Sequence, residues 1–188
     1  MSLTSKTIDS PVGKLKLIAS EKALVAILWE NDAPERVRLS EFVKSEANSV
    51  LDQTERQLSE YFAGKRRSFT VPLDLRGTLF QRNVWEALLA IPFGETRSYG
   101  ELARLLGNPR AARAVGAATG KNPVSIVVPC HRVIGAAGEP TGFAGGLDAK
   151  ISLLALERKQ PRRSSTPQTA KRIHKVTSER ALIYVENE

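Results

Sequence analysis

Cys130 is the only cysteine of the chain, and His131 follows it directly. A free thiol has a pKa near about 8.5, so it needs a neighbouring base to become a thiolate nucleophile near neutral pH. Adjacent side chains of an extended chain point in opposite directions, so contact between the two requires a bend after Pro129 or a bridging water. Taken alone, the pair fits a small buried cysteine and a core histidine at least as well as it fits a nucleophile and its base.

Two predicted capping boxes mark helix starts ahead of Cys130. Thr78 with Gln81 and Ser98 with Glu101 have the residue types and spacing of this motif. Apolar residues follow each box at helical spacing: Phe80, Val84, Trp85, Leu88 and Leu89 after the first, and Leu102, Leu105 and Leu106 after the second. We expect Pro92 and Gly94 to stop the first helix.

The second of these helices is predicted to lead almost directly into a third. Gly107 can end it, and Asn108 can cap the next helix, "PRAARAVGAATG", with Pro109 at its first position. Two helices joined by almost no loop are typical of a helix-turn-helix, whose second helix enters a DNA groove.

Charge and side-chain size in this region also favour DNA. From Arg97 to Arg132 there are six Lys/Arg and one Glu. Arg110 and Arg113 can reach phosphates or bases, and small residues let the helix approach the backbone closely: Ala111, Ala112, Ala114, Gly116, Ala117 and Ala118. The alternative interpretation is a buried, alanine-rich packing helix with solvent-facing arginines.

The first third of the chain predicts a small α/β unit. "KLKLIAS" alternates Leu15 and Leu17 with lysines, and "ALVAILWE" follows after a polar turn at residues 20–22, which suggests an antiparallel meander. A helix should follow, with Ser49 and Asp52 as its capping box and Gly64 at its end. "GKRRSFTVPLDLRG" is interpreted as a linker.

The end of the chain is predicted to hold the nucleophile and one more helix. "VSIVVP" is interpreted as a buried strand that ends at Cys130, and a glycine-rich loop follows. Asp148 can cap a last helix through Ile151, Leu153, Leu154 and Leu156, with Glu157 near its end. Beyond it, "RKQPRRSSTPQTAKR" is polar and expected to be mobile, although "ALIYV" at residues 181–185 could add a strand.

Composition excludes several classes of protein. The 188 residues can bury a core, and no apolar run is long enough to cross a bilayer, so we expect a cytoplasmic protein without membrane contact. One cysteine and two histidines allow no internal disulfide and favour no zinc site. The net charge of +8 suggests a polyanionic partner, and residues 158–188 carry eight Lys/Arg against three Asp/Glu. This basic tail can add phosphate contacts or serve only solubility.

"VPCHRVIG" resembles the active-site signature of the O6-alkylguanine-DNA alkyltransferases. The likeness runs from about Thr78 to Glu157 and includes "SYGELA", "NPRAARAVGAATGKNP" and "GFAGGLDAK", in family order and spacing. It implies an α/β fold: a small ribonuclease H-like domain at residues 1–75, then a mainly helical DNA-binding and alkyltransferase domain with the helix-turn-helix at residues 76–158. Residues 159–188 would form a basic, partly flexible extension.

The resemblance implies the chemistry of the site. After minor-groove binding and base flipping, Cys130 would attack the alkyl carbon of O6-alkylguanine. His131 would accept the thiol proton through water, and Glu157 would orient the imidazole. Tyr99 would hydrogen-bond the guanine ring and protonate it as it leaves, and Asn122 would hold the turn between the recognition helix and the nucleophile.

Further residues receive contact roles from the same resemblance. Arg113 matches the arginine finger that fills the gap in the duplex, and the expected DNA contacts also include Arg110, Ala114, Gly116 and Thr119. The base would be read by the carbonyls of Cys130 and Val133 and the amide of Ala144, beside Phe143. A thioether has no easy route back to thiolate, so we expect a monomer that acts once. It would act without cofactor or metal, on methyl and short alkyl groups of guanine, and on O4-alkylthymine, in double-stranded DNA.

Three departures from the family pattern bear on the pocket. Phe143 and Ala144 stand where some relatives have a Tyr-Ser pair, which removes a hydroxyl, and Ser125 stands where some have a proline. We therefore expect methyl and short alkyl substrates before bulky ones. The zinc of some relatives is not expected, because this chain lacks the ligand cysteines.

Other functions remain compatible with parts of the pattern. A DNA-binding regulator or lesion-binding protein without transfer chemistry would not need Cys130. A cysteine hydrolase would need an oxyanion hole and no helix-turn-helix. An alkylation-responsive transcription factor would use transfer to Cys130 as its signal.

Overall fold

Alternating side chains build the N-terminal sheet. In the computed structural model, which describes residues 2–39, the backbone of 43–44, and residues 47–160, strand β2 (Leu15–Ala19) buries Leu15 and Leu17 and exposes the lysines between and before them. It pairs antiparallel with β3 (Leu24–Trp29), and the Ser20 hydroxyl accepts from the amides of the turn, as the sequence predicts. β2 and β3 therefore form an antiparallel hairpin whose buried leucines face the apolar core.

Two strands complete this sheet without a clear sequence signal. β1 (Leu3–Ile8) pairs antiparallel with β2, and β4 (Val43–Lys44) pairs parallel with β1, which gives the order β3–β2–β1–β4. β1 is apolar only at its two ends, so its alternation is too weak to predict a strand.

Helix α1 (Ser49–Phe62) has a different N-cap from the predicted one. Asn48 caps it, with its side-chain oxygen accepting from the amides of Val50 and Leu51, and Ser49 is the first helical residue. The capping box of Ser49 and Asp52 is therefore wrong by one residue. Gly64, at φ +72°, ends the helix as predicted.

The segment interpreted as a linker is packed into the core. Phe69, Val71, Leu73 and Leu75 are all buried. Leu24 donates its amide to Pro72 and accepts from Asp74, so the segment runs beside β3. The segment that joins the two halves of the chain is therefore an ordered part of the core and not a flexible linker.

Both predicted capping boxes of the C-terminal half are confirmed. Thr78 and Gln81 cap α2 (Leu79–Leu89), and Ser98 and Glu101 cap α3 (Tyr99–Leu105). Leu106 is the C-cap of α3, and Gly107 follows it at φ +77°. Leu105 was expected on the apolar stripe but is 58% exposed.

The recognition helix begins differently from the prediction. Pro109–Ala111 form a 3₁₀ turn, and helix α4 proper covers Ala112–Gly120. Asn108 precedes the turn without a side-chain hydrogen bond, so its predicted cap is wrong. α3 still leads into α4 across only a few residues, as a helix-turn-helix requires.

"VSIVVP" forms a buried turn and not a strand. Isolated bridges link Val124 to Ile27 and Ser125 to Val128, and Ile126 has φ +76°. A β-branched residue at positive φ is strained, and it breaks any regular strand here. A second 3₁₀ turn, Cys130–Arg132, leads into β6 (Val133–Ile134), which pairs parallel with β5 (Arg97–Ser98).

The last described helix, α5, covers Leu147–Lys159. Gly146 precedes it at φ +85°, and Asp148 lies inside its first turn without capping it, which corrects the predicted cap. Ile151 is half exposed, whereas Leu153 is fully buried. The predicted strand at residues 181–185 lies outside the described residues.

One apolar core connects the two halves of the described chain. It runs from Leu17 and Ile27 of the sheet through Tyr61 to Trp85 and Leu153 of the helices. Ile27 also donates its amide to the carbonyl of Pro123 at 2.9 Å. No helix in the described ranges has the length and apolar character needed to cross a bilayer.

Candidate functional site

Cys130 begins a 3₁₀ turn, so the chain bends after Pro129 without bringing the Cys130 and His131 side chains into direct contact. The Arg132 amide donates to the carbonyl of Pro129 at 3.0 Å and closes this turn. Successive side chains of a 3₁₀ turn diverge by about a third of a circle. Cys130 therefore borders a cleft, while His131 points into the interior and is fully buried.

Asn122 fixes the turn that precedes the nucleophile. Its side-chain nitrogen donates to the carbonyl of Val128 at 2.8 Å, and its oxygen accepts from the amide of Val124 at 3.0 Å. The residue is 1% exposed. This geometry matches the turn-holding role implied for Asn122, although the segment it holds is a turn and not a strand.

His131 and Glu157 lie in direct contact. His131 Nε2 is 2.7 Å from Glu157 Oε1, and both side chains are buried. Arg132 binds the same carboxylate through Nε and Nη2, and Gly94 donates its amide to Oε2. The carboxylate is thus surrounded by donors, the arrangement that stabilises its ionised form.

The electrostatics of this cluster define its resting protonation. Burial would raise the pKa of Glu157, but the hydrogen bonds and charges of His131 and Arg132 bring the pKa well below its usual value. Burial lowers the pKa of His131, partly opposed by Glu157. Because Arg132 already balances the carboxylate, the neutral imidazole carries its proton on Nε2 and leaves Nδ1 as an acceptor. Nδ1 is buried and has no protein partner among the described residues.

The Cys130 thiol is held protonated at rest. Burial raises its pKa, and the neighbouring polar groups of Asn122 and Ser125 lower it, together with the charges of Arg36 and Lys150. The side chain is 5% exposed. A thiol in this setting needs a base when it reacts, and the free Nδ1 of His131 on the same turn is a group of that kind.

The cleft beside Cys130 has a volume of about 500 Å³ and walls from both halves of the chain. Its walls include a loop at residues 31–36 from the N-terminal half and, from the C-terminal half, Tyr99, Ser125, Phe143 and Ala144. Arg36 braces that loop: it pairs with Asp32 and donates to the carbonyls of Ile27 and Asn122. A cleft of this size accommodates a nucleobase-sized ligand.

A buried lysine supports the segment that follows Cys130. Lys150 is fully buried, and its Nζ donates to the carbonyls of Val133 and Thr141, the latter at 2.6 Å. Burial lowers its pKa, and the nearby Cys130 opposes this shift. The Val133 carbonyl, expected to read the base, thus already accepts one hydrogen bond and has one lone pair left.

The loop that carries Phe143 and Ala144 packs on the sheet. The rings of Phe143 and Trp29 meet edge-on, with centroids 5.3 Å apart. A Cβ on Gly145 would lie 2.5 Å from the Trp29 ring, so only glycine fits there. Tyr99 reaches the same loop, because its phenol oxygen accepts from the Thr141 hydroxyl at 3.2 Å.

Helix α4 and the 3₁₀ turn before it present an exposed basic face near the cleft. Arg110, Arg113 and Ala114 are exposed, and Gly116 lies against the Tyr99 ring. Thr119, expected among the DNA contacts, is 6% exposed, and its hydroxyl donates to the carbonyl of Val115 at 2.8 Å. Its side chain therefore borders the cleft and does not belong to the outer face.

Several polar residues of the site were missed from the sequence. Tyr61, Arg36 and Asp32 come from the N-terminal half, where no motif marks them, and Arg132 and Lys150 lay within matched motifs without an assigned role. Their only sequence signal is a charged or phenolic group inside or beside an apolar run. In the described part of the chain, no three His, Cys, Asp or Glu side chains come together as a metal site.

Two known protein-domain families match the chain, one in each half. Residues 3–75 match the ribonuclease-like domain of 6-O-methylguanine DNA methyltransferase, and residues 79–159 match its DNA binding domain. A methylated-DNA–protein-cysteine methyltransferase of Mycolicibacterium paratuberculosis is 50% identical over 163 residues, covering 86% of this chain and 96% of that protein. One of the same name from Methanosarcina acetivorans is 47% identical, covering 79% and 94%.

Solved structures of similar proteins include members of the same family. The crystal structure of the Mycobacterium tuberculosis O6-methylguanine methyltransferase aligns with a TM-score of 0.76 at 48% identity, covering 85% of this chain and 95% of that one. The structure of the M. tuberculosis protein OGT in complex with DNA aligns with a TM-score of 0.74 at 47% identity, covering 84% and 93%.

Proposed function

The chain belongs to the 6-O-methylguanine DNA methyltransferase family, and on that premise we propose that it repairs alkylated guanine in DNA by moving the alkyl group onto Cys130. The observation that carries this proposal is the 2.7 Å contact between His131 and Glu157, directly behind a cysteine that borders a nucleobase-sized cleft. Nucleophile, base and orienting carboxylate stand together as group transfer requires.

DNA reaches the site through helix α4. Arg113 enters the duplex and fills the gap left by the extruded base, while Arg110 contacts a phosphate and the small side chains at Ala114 and Gly116 allow close approach in the minor groove. Flipping is required because Cys130 is 5% exposed and lies below the surface, where the O6 substituent of a stacked guanine cannot reach.

The transfer itself is a proton movement followed by displacement at carbon. The thiol proton of Cys130 passes to Nδ1 of His131, through one bridging water, and Glu157 stabilises the imidazolium that forms. The sulfur then forms a bond to the methyl carbon as the bond from that carbon to guanine O6 breaks. The guanine leaves as an anion, which takes a proton from Tyr99. The Tyr99 phenolate then regains a proton from solvent and the His131 imidazolium releases one, so the net products are guanine and S-methylcysteine.

The flipped base is held by the loop that Lys150 supports. The carbonyls of Cys130 and Val133 accept from the guanine edge, and the Ala144 amide donates to O6, with Phe143 against the ring. Guanine is therefore recognised mainly by backbone carbonyl and amide groups. Phe143 is fixed by Trp29, and short alkyl groups suit the space beside Ser125 best.

The reaction consumes the protein. A thioether is a poor leaving group and has no proton to lose, so each molecule accepts one alkyl group and needs no cofactor. The protein acts as a monomer on double-stranded DNA, in the cytoplasm or on the nucleoid. O4-alkylthymine presents the same kind of alkyl carbon, and it is the expected second substrate.

The experiment is to incubate the protein with a duplex that holds one O6-methylguanine and to analyse the nucleosides. We expect O6-methylguanine to disappear and guanine to appear in equal amount, up to one per protein molecule. Cys130→Ser binds the duplex and leaves the lesion intact. A lesion that persists with the intact protein, or free methanol in place of a methylated protein, would rule out direct transfer.

A further inference from the structure

Tyr61 reaches the catalytic carboxylate from the N-terminal half of the chain. It lies near the end of α1, and its hydroxyl donates to Glu157 Oε1 at 2.8 Å. The side chain is fully buried, with its ring packed against Phe62, Phe69 and Phe93. No other hydrogen-bond acceptor for this phenol is present among its described contacts.

The phenol shares its acceptor with the imidazole. Glu157 Oε1 accepts from Tyr61, from His131 Nε2 and from Arg132 Nη2, whereas Oε2 accepts from Arg132 Nε and Gly94. A carboxylate oxygen that accepts three hydrogen bonds gives less negative charge to each donor. The phenol therefore limits how strongly Glu157 pulls on the proton of His131.

We propose that Tyr61 is a positioning residue for the transfer reaction: it fixes Oε1 of Glu157 and keeps His131 neutral until the thiol proton arrives. The proposal rests on the proposed function, since it concerns the same proton transfer. It also gives the N-terminal half a direct part in the chemistry of Cys130.

The other charged and titratable groups near the imidazole come from α5 and from its own turn. His131 is faced by Glu157 and Lys150 from α5 and by Arg132 and Cys130 from its own turn. Arg36 acts on Cys130 and not on the imidazole. Burial and the charge of Glu157 hold the pKa of Tyr61 well above its ordinary value, so the phenol stays a neutral donor. Removing the Tyr61 hydroxyl therefore removes one hydrogen-bond donor to Glu157 and changes no formal charge.

The test is the pH profile of single-turnover methyl transfer for Tyr61→Phe. Without the phenol, Glu157 favours the imidazolium more strongly, so the acid limb moves to higher pH. We expect the transfer rate on that limb to fall about threefold to tenfold, with a much smaller change on the plateau. Phe69→Leu is the matched control, because it loosens the same ring cluster without touching Glu157, and its acid limb should stay in place.

Measuring the pKa of His131 directly distinguishes a positioning role of Tyr61 from a role in packing alone. The chain has two histidines, so in a His174→Gln background the NMR titration reports His131 alone. Tyr61→Phe should raise the pKa of His131, and Phe69→Leu should not. A uniform loss of rate at every pH, an unmoved imidazole titration, or an equal shift in Phe69→Leu would overturn the proposal.

A second substitution covers the case in which Tyr61→Phe does not fold. Placing 3-fluorotyrosine at position 61 keeps the ring and makes the phenol a stronger donor, so the acid limb should move to lower pH. A shift in the opposite direction, or none, contradicts the proposal. If the unsubstituted protein transfers no methyl group, the proposed function fails instead, and the imidazole titration still decides whether Tyr61 controls His131.

Discussion

Arg132 binds Glu157 through two nitrogens, with Nε 2.9 Å from Oε2 and Nη2 3.0 Å from Oε1. Both side chains are buried, so the guanidinium and the carboxylate balance each other with little screening by bulk solvent. The imidazole of His131 therefore need not supply a positive charge, and it can rest neutral beside the same carboxylate.

Replacing Glu157 with Gln should damage both stability and chemistry. The change leaves Arg132 buried without its counter-charge, which costs about 3–5 kcal/mol of unfolding free energy. Methyl transfer should slow by about 10²-fold or more because the imidazolium loses its stabilising partner. Urea unfolding and single-turnover assays measure the two effects.

The control for this substitution is Glu60→Gln, which breaks the more exposed pair with Arg66. It should cost less than about 1 kcal/mol and leave transfer unchanged. Equal losses in the two variants would mean that burial of the Arg132–Glu157 pair has no special importance.

Stability should fall on acidification in two windows. Burial holds the pKa of folded His131 below its ordinary 6.5, so the unfolded chain binds the proton first as pH falls through that value. Glu157 has a depressed pKa in the folded state, so its stabilisation is complete above its ordinary 4.5 and is lost as pH falls below it. In both windows the unfolded state binds more protons, so the unfolding free energy rises with pH.

Urea unfolding between pH 7 and 4 measures this dependence. In a His174→Gln background, His131→Asn should flatten the slope between about pH 7 and 5 and leave the lower window intact. A slope that survives this change in the upper window would place the titrating group elsewhere.

Asn122→Ala should destabilise the turn before Cys130. Two buried hydrogen bonds are lost: the Val124 amide is left unsatisfied, and the Val128 carbonyl keeps only the bond from the Cys130 amide, which together costs about 2–4 kcal/mol. Transfer should slow as well, because Cys130 is held through this turn. Asn108→Ala is the control: its side chain makes no cap bond, so the change should stay within about 0.5 kcal/mol. Similar costs for both asparagines would contradict this account.

Arg113→Ala should affect duplex substrates selectively. If the guanidinium fills the gap left by the flipped base, its loss should slow transfer from a duplex about tenfold or more, and transfer from a single strand much less. Arg158→Ala removes an equal charge from α5 and should leave the ratio of the two rates unchanged. A uniform loss on both substrates would assign Arg113 to phosphate binding alone.

The sequence predicted correctly those helix starts and strands that are determined by residues close together in the chain. The capping boxes at Thr78 and Ser98 and the alternation in β2 rest on contacts a few residues apart, and all three are confirmed. The turn at residues 124–128 could not be predicted, because its apolar residues favour a strand and only Asn122 and the packing around Ile126 enforce positive φ. Local preference is overridden there by tertiary contacts.

The proposed catalytic residues and the residues that support them differ in the same way. Cys130, His131 and Glu157 were predicted from the sequence through the family resemblance, whereas Tyr61 lies 96 residues from the carboxylate that it contacts. A tyrosine on the apolar stripe of a helix is indistinguishable in sequence from one that only packs. Partners of buried polar groups are set by the fold, so long-range contacts of this kind become visible only in three dimensions.

Transfer of the alkyl group to Cys130 can be followed with a labelled lesion. A duplex with one radiolabelled O6-methylguanine is mixed with excess protein, and the tryptic peptides are separated and sequenced. One equivalent of label per lesion should appear on the peptide that contains Cys130, and a second addition of labelled duplex to the spent protein should transfer nothing. Label on another residue, or repeated turnover by one protein molecule, would contradict the account.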